Sequence, residues 1–253
     1  MAANHSLGLI YERMGDVSTA ALYHERHREL AALEGDEEQV ACAELVKVYS
    51  KFAEDKEADM DFTGAIDFWK KSLEAAKSSC DRKAQGNACY RLGMAWVQLG
   101  EAMRAINYLE QYEATSKEMD DLEGMGHACA ALAGAYQALG NDEQAQSYLQ
   151  QHLDTATRTQ NPRAEAEACI NLGSLRSRRR EYEIASKAFT QNYSLSRQIC
   201  SQGGCTTAQV DAARVLVGLS QGNEMLQQYM SAVTGDLKAV LEWRLNRVPP
   251  QKT

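Results

Sequence analysis

The chain has 253 residues, 44% of them apolar, only 3 prolines and a formal net charge of −8, which suits a helical core and lacks the basic face that nucleic-acid binding needs. No run approaches the roughly 18 apolar residues of a membrane span, and MAANHSLGLIYERMGD has no basic region leading into an apolar core, so a soluble, intracellular protein is expected. The charge is uneven: residues 1–126 hold 14 Lys/Arg against 24 Asp/Glu, while residues 127–253 hold 13 against 11.

One internal motif, L-G-x2-Y-x3-G-x4-A, organises the predicted elements. Repeat 1, near residues 1–35, carries it as Leu7, Gly8, Tyr11, Gly15 and Ala20, with helices expected over 2–14 and 17–34. Its second helix contains YHERHREL, with His24 and His27 one turn apart. The spacing is not H-E-x-x-H, and the repeat puts both histidines in packing slots, so a partly buried pair is expected rather than a metal site.

Repeat 2, near 36–80, reads Leu45, Val46, Tyr49 and Ala65, with helices over 37–57 and 62–78. Its Leu-to-Ala distance is 20 residues where the other repeats have 13, a surplus of seven. Seven residues make about two helical turns, lengthening a helix by about 10 Å without rotating its buried face. The surplus segment, KFAEDKEADM at 51–60, is expected to protrude, either as an acidic spur or as tolerated length.

Repeat 3, near 81–120, gives Leu92, Gly93, Trp96, Gly100 and Ala105, with helices over 82–99 and 102–118. Repeat 4, near 121–160, gives Leu132, Ala133, Tyr136, Gly140 and Ala145, with helices over 122–139 and 142–159. Its Gly124-Met125-Gly126 mimics half of a dinucleotide loop, but no strand precedes it and Cys129 stands where the third glycine belongs. Repeat 5, near 161–203, keeps the frame as Leu172, Gly173, Arg176, Arg180 and Ala185, over 162–179 and 182–200. Asn161-Pro162 opens it as a cap followed by proline in the first helical position. Repeat 6, near 206–233, is degenerate, with Ala213 and Val217 in frame and helices over 207–220 and 222–233. A last helix over 235–246 and a loose tail at 247–253 follow.

The small residues have distinct tasks in this scheme. Gly8, Gly93 and Gly173 let the two helices of a repeat approach, whereas Gly15, Gly100 and Gly140 fall where the first helix ends and a left-handed residue is favoured. Asp16, Glu101 and Asn141 follow at the start of the second helix, where acidic or short polar side chains help. Cys42, Cys89, Cys129 and Cys169 recur in one slot beside the motif leucine, the last three 40 residues apart, as buried small hydrophobes rather than a disulfide framework. Cys200 and Cys205, spaced C-x4-C with no second Cys/His pair nearby, are a weak signal for metal or redox chemistry.

Each unit resembles the tetratricopeptide repeat, which implies an all-α solenoid of about six antiparallel helix pairs in a right-handed superhelix, a single domain over 1–246. The resemblance implies that the first helix of each pair lines the concave side, with inward positions two before and two after the motif leucine. These are His5 and Leu9, Ala43 and Lys47, Tyr90 and Met94, Ala130 and Gly134, Ile170 and Ser174. Lys47, Tyr90, Met94, Ala130, Ile170 and Ser174 are the groove candidates for a helix or extended segment of a partner. A second candidate surface is RSRRREY, where Arg176, Arg178, Arg179 and Arg180 either complement a helix C-terminus or dock an acidic partner.

The order of features narrows the resemblance. CAELVKVYSKFAEDKEADMDFTGAI, then ACYRLGMAWVQLGE, YLEQY and DLKAVLEWRLNR are similar to a tetratricopeptide repeat family of motile cilia and sperm flagella. That resemblance implies a non-catalytic scaffold of the axoneme, partnered with inner-arm dynein components and another axonemal repeat subunit, with no catalytic residue, metal or cofactor. It implies a cytoplasmic, cytoskeletal location in the cilium or flagellum, without nucleic-acid or membrane partners. The alternative is a soluble adaptor, of polarity or chaperone type, gripping a peptide in its groove. A chaperone clamp would want Lys and Asn along the inner helices, and Lys47 stands alone there among Ala43, Tyr90, Ala130 and Ile170.

Overall fold

A computed structural model describes residues 2–34, 38–235 and 237–246, and every regular element among them is an α-helix. In chain order they are α1 (Ala2–Met14), α2 (Val17–Glu34), α3 (Glu38–Ala58), α4 (Phe62–Ser78), α5 (Arg82–Gln98) and α6 (Ala102–Glu118). Then come α7 (Leu122–Ala138), α8 (Asp142–Arg158), α9 (Pro162–Arg178), α10 (Tyr182–Ser201), α11 (Thr207–Gly235) and α12 (Leu237–Asn246). They fall into two compact bodies, residues 1–145 and 146–253, with the boundary inside α8. The expected tail, 247–253, lies outside the described residues.

The turns explain why the boundaries agree so closely with the motif. At the end of α1, Gly15 adopts φ +78° and its N–H donates to Glu12 at 3.0 Å, while the Asp16 N–H reaches back to Tyr11 at 3.0 Å. This is a Schellman closure, which satisfies carbonyls that the helix end leaves over. Gly100 and Gly140 close α5 and α7 in the same way. Met60, Cys80, Asp120, Gln160 and Arg180 take the same left-handed position in the remaining turns, at φ between 50° and 60°, despite carrying a side chain.

The next residue in each turn opens the following helix. Asp61, Asp81 and Asp121 accept the N–H three residues on at 2.9–3.0 Å, and Asn161 accepts from Arg163 and Ala164 at 3.2 Å. Asp16 caps α2 through the Thr19 N–H at 3.1 Å, and Asn141 caps α8 through Gln144 at 3.2 Å. Glu101 makes no such bond, its side chain being one methylene longer than aspartate, so it contributes only through the helix dipole.

The motif residues of repeats 2 to 5 occupy matching environments, whereas the motif leucine of repeat 1, Leu7, is exposed. Leu45, Leu92, Leu132 and Leu172 are buried, and so are Ala20, Ala65, Ala105, Ala145 and Ala185. Cys42, Cys89, Cys129 and Cys169 are buried and form no disulfide, and burial pushes Cys129 and Cys169 up to about 11. A Cβ on Gly93 would meet Leu109 at 2.6 Å, and one on Gly173 would meet Phe189 at 2.6 Å. The glycines therefore make room for a large residue of the facing helix.

Two expectations are corrected. Repeat 6 is not a helix pair: α11 runs unbroken from Thr207 to Gly235, through Gln221 and Gly222 where a turn was expected. Neither Gly218 nor Gly222 has positive φ, no proline intervenes, and a helix-interior glycine costs only about 1 kcal/mol. The C-terminal body thus holds the α9–α10 pair, α11 packed on α10, and α12 joined to α11 through the Tyr229 and Trp243 rings at 5.0 Å. The surplus of repeat 2 is not a free spur either. It extends α3, whose Ala53 joins the core with Ala65, Trp69 and Leu92.

Candidate partner-binding surfaces

The outer face of each first helix is what packing leaves over. In the N-terminal body this leaves Lys47 exposed and Tyr90, Met94 and Ala130 half-buried. The Lys47 ammonium is held by both oxygens of Glu44 at 3.0 Å, one turn away, so its charge is partly spent within its own helix. Tyr90 packs its ring on Tyr112 at 5.1 Å and on His127 at 6.3 Å, joining α5, α6 and α7 into one aromatic face.

In the C-terminal body Ile170 and Ser174 are both exposed. Ile170, but not Ser174, opens onto a cavity of about 410 Å³ formed by α9, α10 and α11, with Arg163, Asn192, Ile199, Cys205 and Leu216 on its walls. Asn192 is 1% exposed; its Nδ2 donates to the Ala166 carbonyl at 2.9 Å, and its Oδ1 is buried with no protein donor. Much of the wall is apolar, with Glu167, Ser196 and Gln209 beside the spare Asn192 acceptor, a mixture suited to a peptide segment. Its α11 wall, Gln209 to Leu216, lies within the expected helix 207–220, but the motif gave no signal that Gly204 and Cys205 of the preceding turn would close it.

The four arginines of RSRRREY are not equivalent. Arg176 donates to Glu181, and Arg179 pairs with the same carboxylate at 3.1 Å while donating to Gln146 at 3.0 Å. The Arg176 hydrogen bond, backed by the charges of Arg176 and Arg179, holds the Glu181 carboxyl below its ordinary range. Arg178 and Arg180 are exposed, and Arg180 occupies the left-handed turn position at φ 59°. The patch is one carboxylate short of fourfold positive.

The longer end of α3 builds a second polar cluster. Buried Trp69 donates its indole N–H to Glu57 at 2.7 Å, Arg91 pairs with Glu57 at 3.2 Å, and the Arg91 guanidinium lies 5.8 Å from the Trp69 ring. Repeat 2 is thereby tied to repeat 3. Sequence reasoning did not see that Glu57 would turn inward.

His24 and His27, expected to be partly buried, are 0% and 1% exposed, and His5 of α1 lies against both rings. Cys205, half-buried, donates its thiol to the Ser196 carbonyl at 3.3 Å. Gly124 opens α7, where its N–H is already taken by Asp121.

Comparison with known proteins agrees with this architecture. The tetratricopeptide repeat profile matches residues 3–38 and 128–163. The fold is that of BtubC (BKLC) from P. vanneervenii, with a TM-score of 0.66, 18% identity, and coverage of 94% of this chain and 95% of that one. The repeated helix pairs have the tetratricopeptide fold. Among curated relatives it is similar to tetratricopeptide repeat protein 29 of Macaca fascicularis, 29% identical over 123 residues. The protein of the same name from Rattus norvegicus is 31% identical over 106 residues. These matches take in 46% and 39% of this chain but only 26% and 22% of the relatives' own length. Tetratricopeptide repeats are a scaffold fold whose exposed helix faces hold other proteins.

Proposed function

We propose that this chain is a non-catalytic scaffold of the motile-cilium axoneme, associated with inner-arm dynein components and another axonemal repeat subunit. The observation that carries the reading is the similarity to tetratricopeptide repeat protein 29 from two mammals. The order of features along the chain, from the lengthened repeat 2 to the terminal helix, supports it. The contact residues proposed are Lys47, Tyr90, Met94 and Ala130 in the N-terminal body, and Ile170 and Ser174 in the C-terminal body. Arg176, Arg178, Arg179 and Arg180 are proposed to engage an acidic segment. The test is affinity capture of the tagged chain from detergent-extracted axonemes, read by quantitative mass spectrometry. Enrichment of inner-arm over outer-arm dynein subunits is the expected result; equal recovery of both arms, or a chain wholly lost with the detergent extract, refutes the reading.

A second reading, a soluble adaptor that grips a partner peptide, is favoured by one feature: the α9–α11 cavity with the spare Asn192 acceptor. A fluorescent peptide library screened against the purified chain tests it, with Asn192→Leu as the discriminating variant. The chaperone version predicts binding of an EEVD-ending peptide that Lys47→Ala abolishes.

A further inference from the structure

Repeat 1 carries three imidazoles in the columns where repeat 3 carries Tyr90, Leu109 and Tyr112. His5 comes from α1, His24 and His27 from α2, and one ring nitrogen of each lies within 4.8 Å of the other two. Two of the rings are sealed from water and His5 is half-buried, leaving one side for entry. Gly8 is what admits the central ring: a Cβ there would lie 2.5 Å from His24 Cε1 and Nε2.

The hydrogen bonding of His24 decides which nitrogen is left over. Its Nε2 is 2.8 Å from the Glu12 carboxylate, which has no proton to give, so Nε2–H is the donor and Nδ1 keeps a lone pair. That Nδ1 is buried with no protein partner, and so is Nδ1 of His5. A carboxylate behind an imidazole, with the opposite nitrogen bare, is how proteins orient a histidine toward a metal.

We propose that His5, His24 and His27 form a binding site for a divalent transition-metal ion of the zinc class, with Glu12 as the residue that orients His24. Three imidazoles suit Zn²⁺, Ni²⁺ or Cu²⁺ and do not suit Ca²⁺ or Mg²⁺, which take oxygen ligands. Zinc bonds of about 2.0–2.1 Å in a tetrahedron put ligand nitrogens about 3.3 Å apart, so the cluster must close by about 1.5 Å. Rotation of the half-buried His5 closes its own two distances, and ring rotation of His24 and His27 on α2 closes the third. A fourth position remains for water or for a side chain of a partner. The ion clips α1 to α2 within repeat 1.

The test uses the full chain, freed of metal with a chelator and titrated with Zn²⁺ and separately with Co²⁺. Calorimetry against a competing chelator should give one tight Zn²⁺ per chain. Co²⁺ should give the visible bands of a tetrahedral nitrogen site without thiolate-to-cobalt absorption, which separates this site from the seven cysteines. His5→Ala, at a half-buried position and checked for folding by circular dichroism, should weaken binding by at least about 100-fold. Glu12→Gln should weaken it about 10–100-fold at unchanged stoichiometry. His127→Ala, outside the cluster, should bind like the parent chain. Zinc affinity unchanged in a folded His5→Ala chain, thiolate absorption as the main cobalt signal, or no saturable binding overturns the proposal.

Discussion

Repeats 1 and 3 share a backbone plan and differ in what fills it. Two residues before the motif leucine stands His5 in one and Tyr90 in the other; sixteen after the motif glycine stand His24 and Leu109; three further on stand His27 and Tyr112. The outer pair keeps its geometry across this change: His5 and His27 rings are 5.2 Å apart at 47°, Tyr90 and Tyr112 rings 5.1 Å apart at 48°. The central side chain is fully buried in both repeats. The glycine and the helix register therefore set the shape of the slot, and the filler sets its chemistry. Leucine there contributes about 1.5–3 kcal/mol by leaving water. An imidazole gains less and must be partnered, and Glu12 stands in repeat 1 where Val97 stands in repeat 3.

The sharpest way to break this comparison is at the motif leucine itself. Leu92 is 0% exposed and Leu7 is 36% exposed. Leu92→Ala should destabilise by about 2–5 kcal/mol, and Leu7→Ala by less than about 1.5 kcal/mol, both measured by urea denaturation. Equal losses would mean that the two repeats do not differ as described.

A direct swap comes next. Leu109→His puts the imidazole of repeat 1 into repeat 3 without its carboxylate, and should cost about 1–3 kcal/mol. Adding Val97→Glu should return at least about 0.5 kcal/mol as coupling in a double-mutant cycle. Gly93→Ala pushes a methyl within 2.6 Å of Leu109 and should lower stability by about 1–3 kcal/mol. Gly134→Ala, in a helix with nothing within 4 Å, should raise it by about 0.5–1 kcal/mol in the same urea denaturation. The smallest effect is expected at Arg179→Glu, which should shift folding by no more than about 0.5 kcal/mol. Its consequence should appear only in the recovery of partners from axonemes.

Periodicity made the first ten helices legible because each described turn between them is built from local chemistry: a left-handed residue, then an acidic or amide residue at the start of the next helix. α11 was misread because repeat 6 lacks those residues and a mid-helix glycine does not by itself end a helix. The groove positions could be numbered from the motif, whereas the α9–α11 cavity also draws on Gly204 and Cys205 of a turn that the motif does not describe. The histidine cluster was hidden for a different reason. His5 and His24 are 19 residues apart and meet only through the register of two antiparallel helices. Aligning repeat 1 on repeat 3 column by column would have exposed three histidines in three packing columns.

The added length of α3 has a consequence for how such chains can change. Each residue turns a helix by about 100°, so seven advance it about 700°, some 20° short of two revolutions. The inserted turns therefore keep their azimuth, which is why Ala53 points inward and Glu57 finds the indole of the following helix. An insertion of five would leave the stripe about 140° astray and present alanine to solvent and carboxylates to the core. Growth of a repeat is thus quantised: whole turns are admitted, fractions are refused, and indels of seven are the natural currency for elongating one arm of a hairpin while its neighbours stay undisturbed.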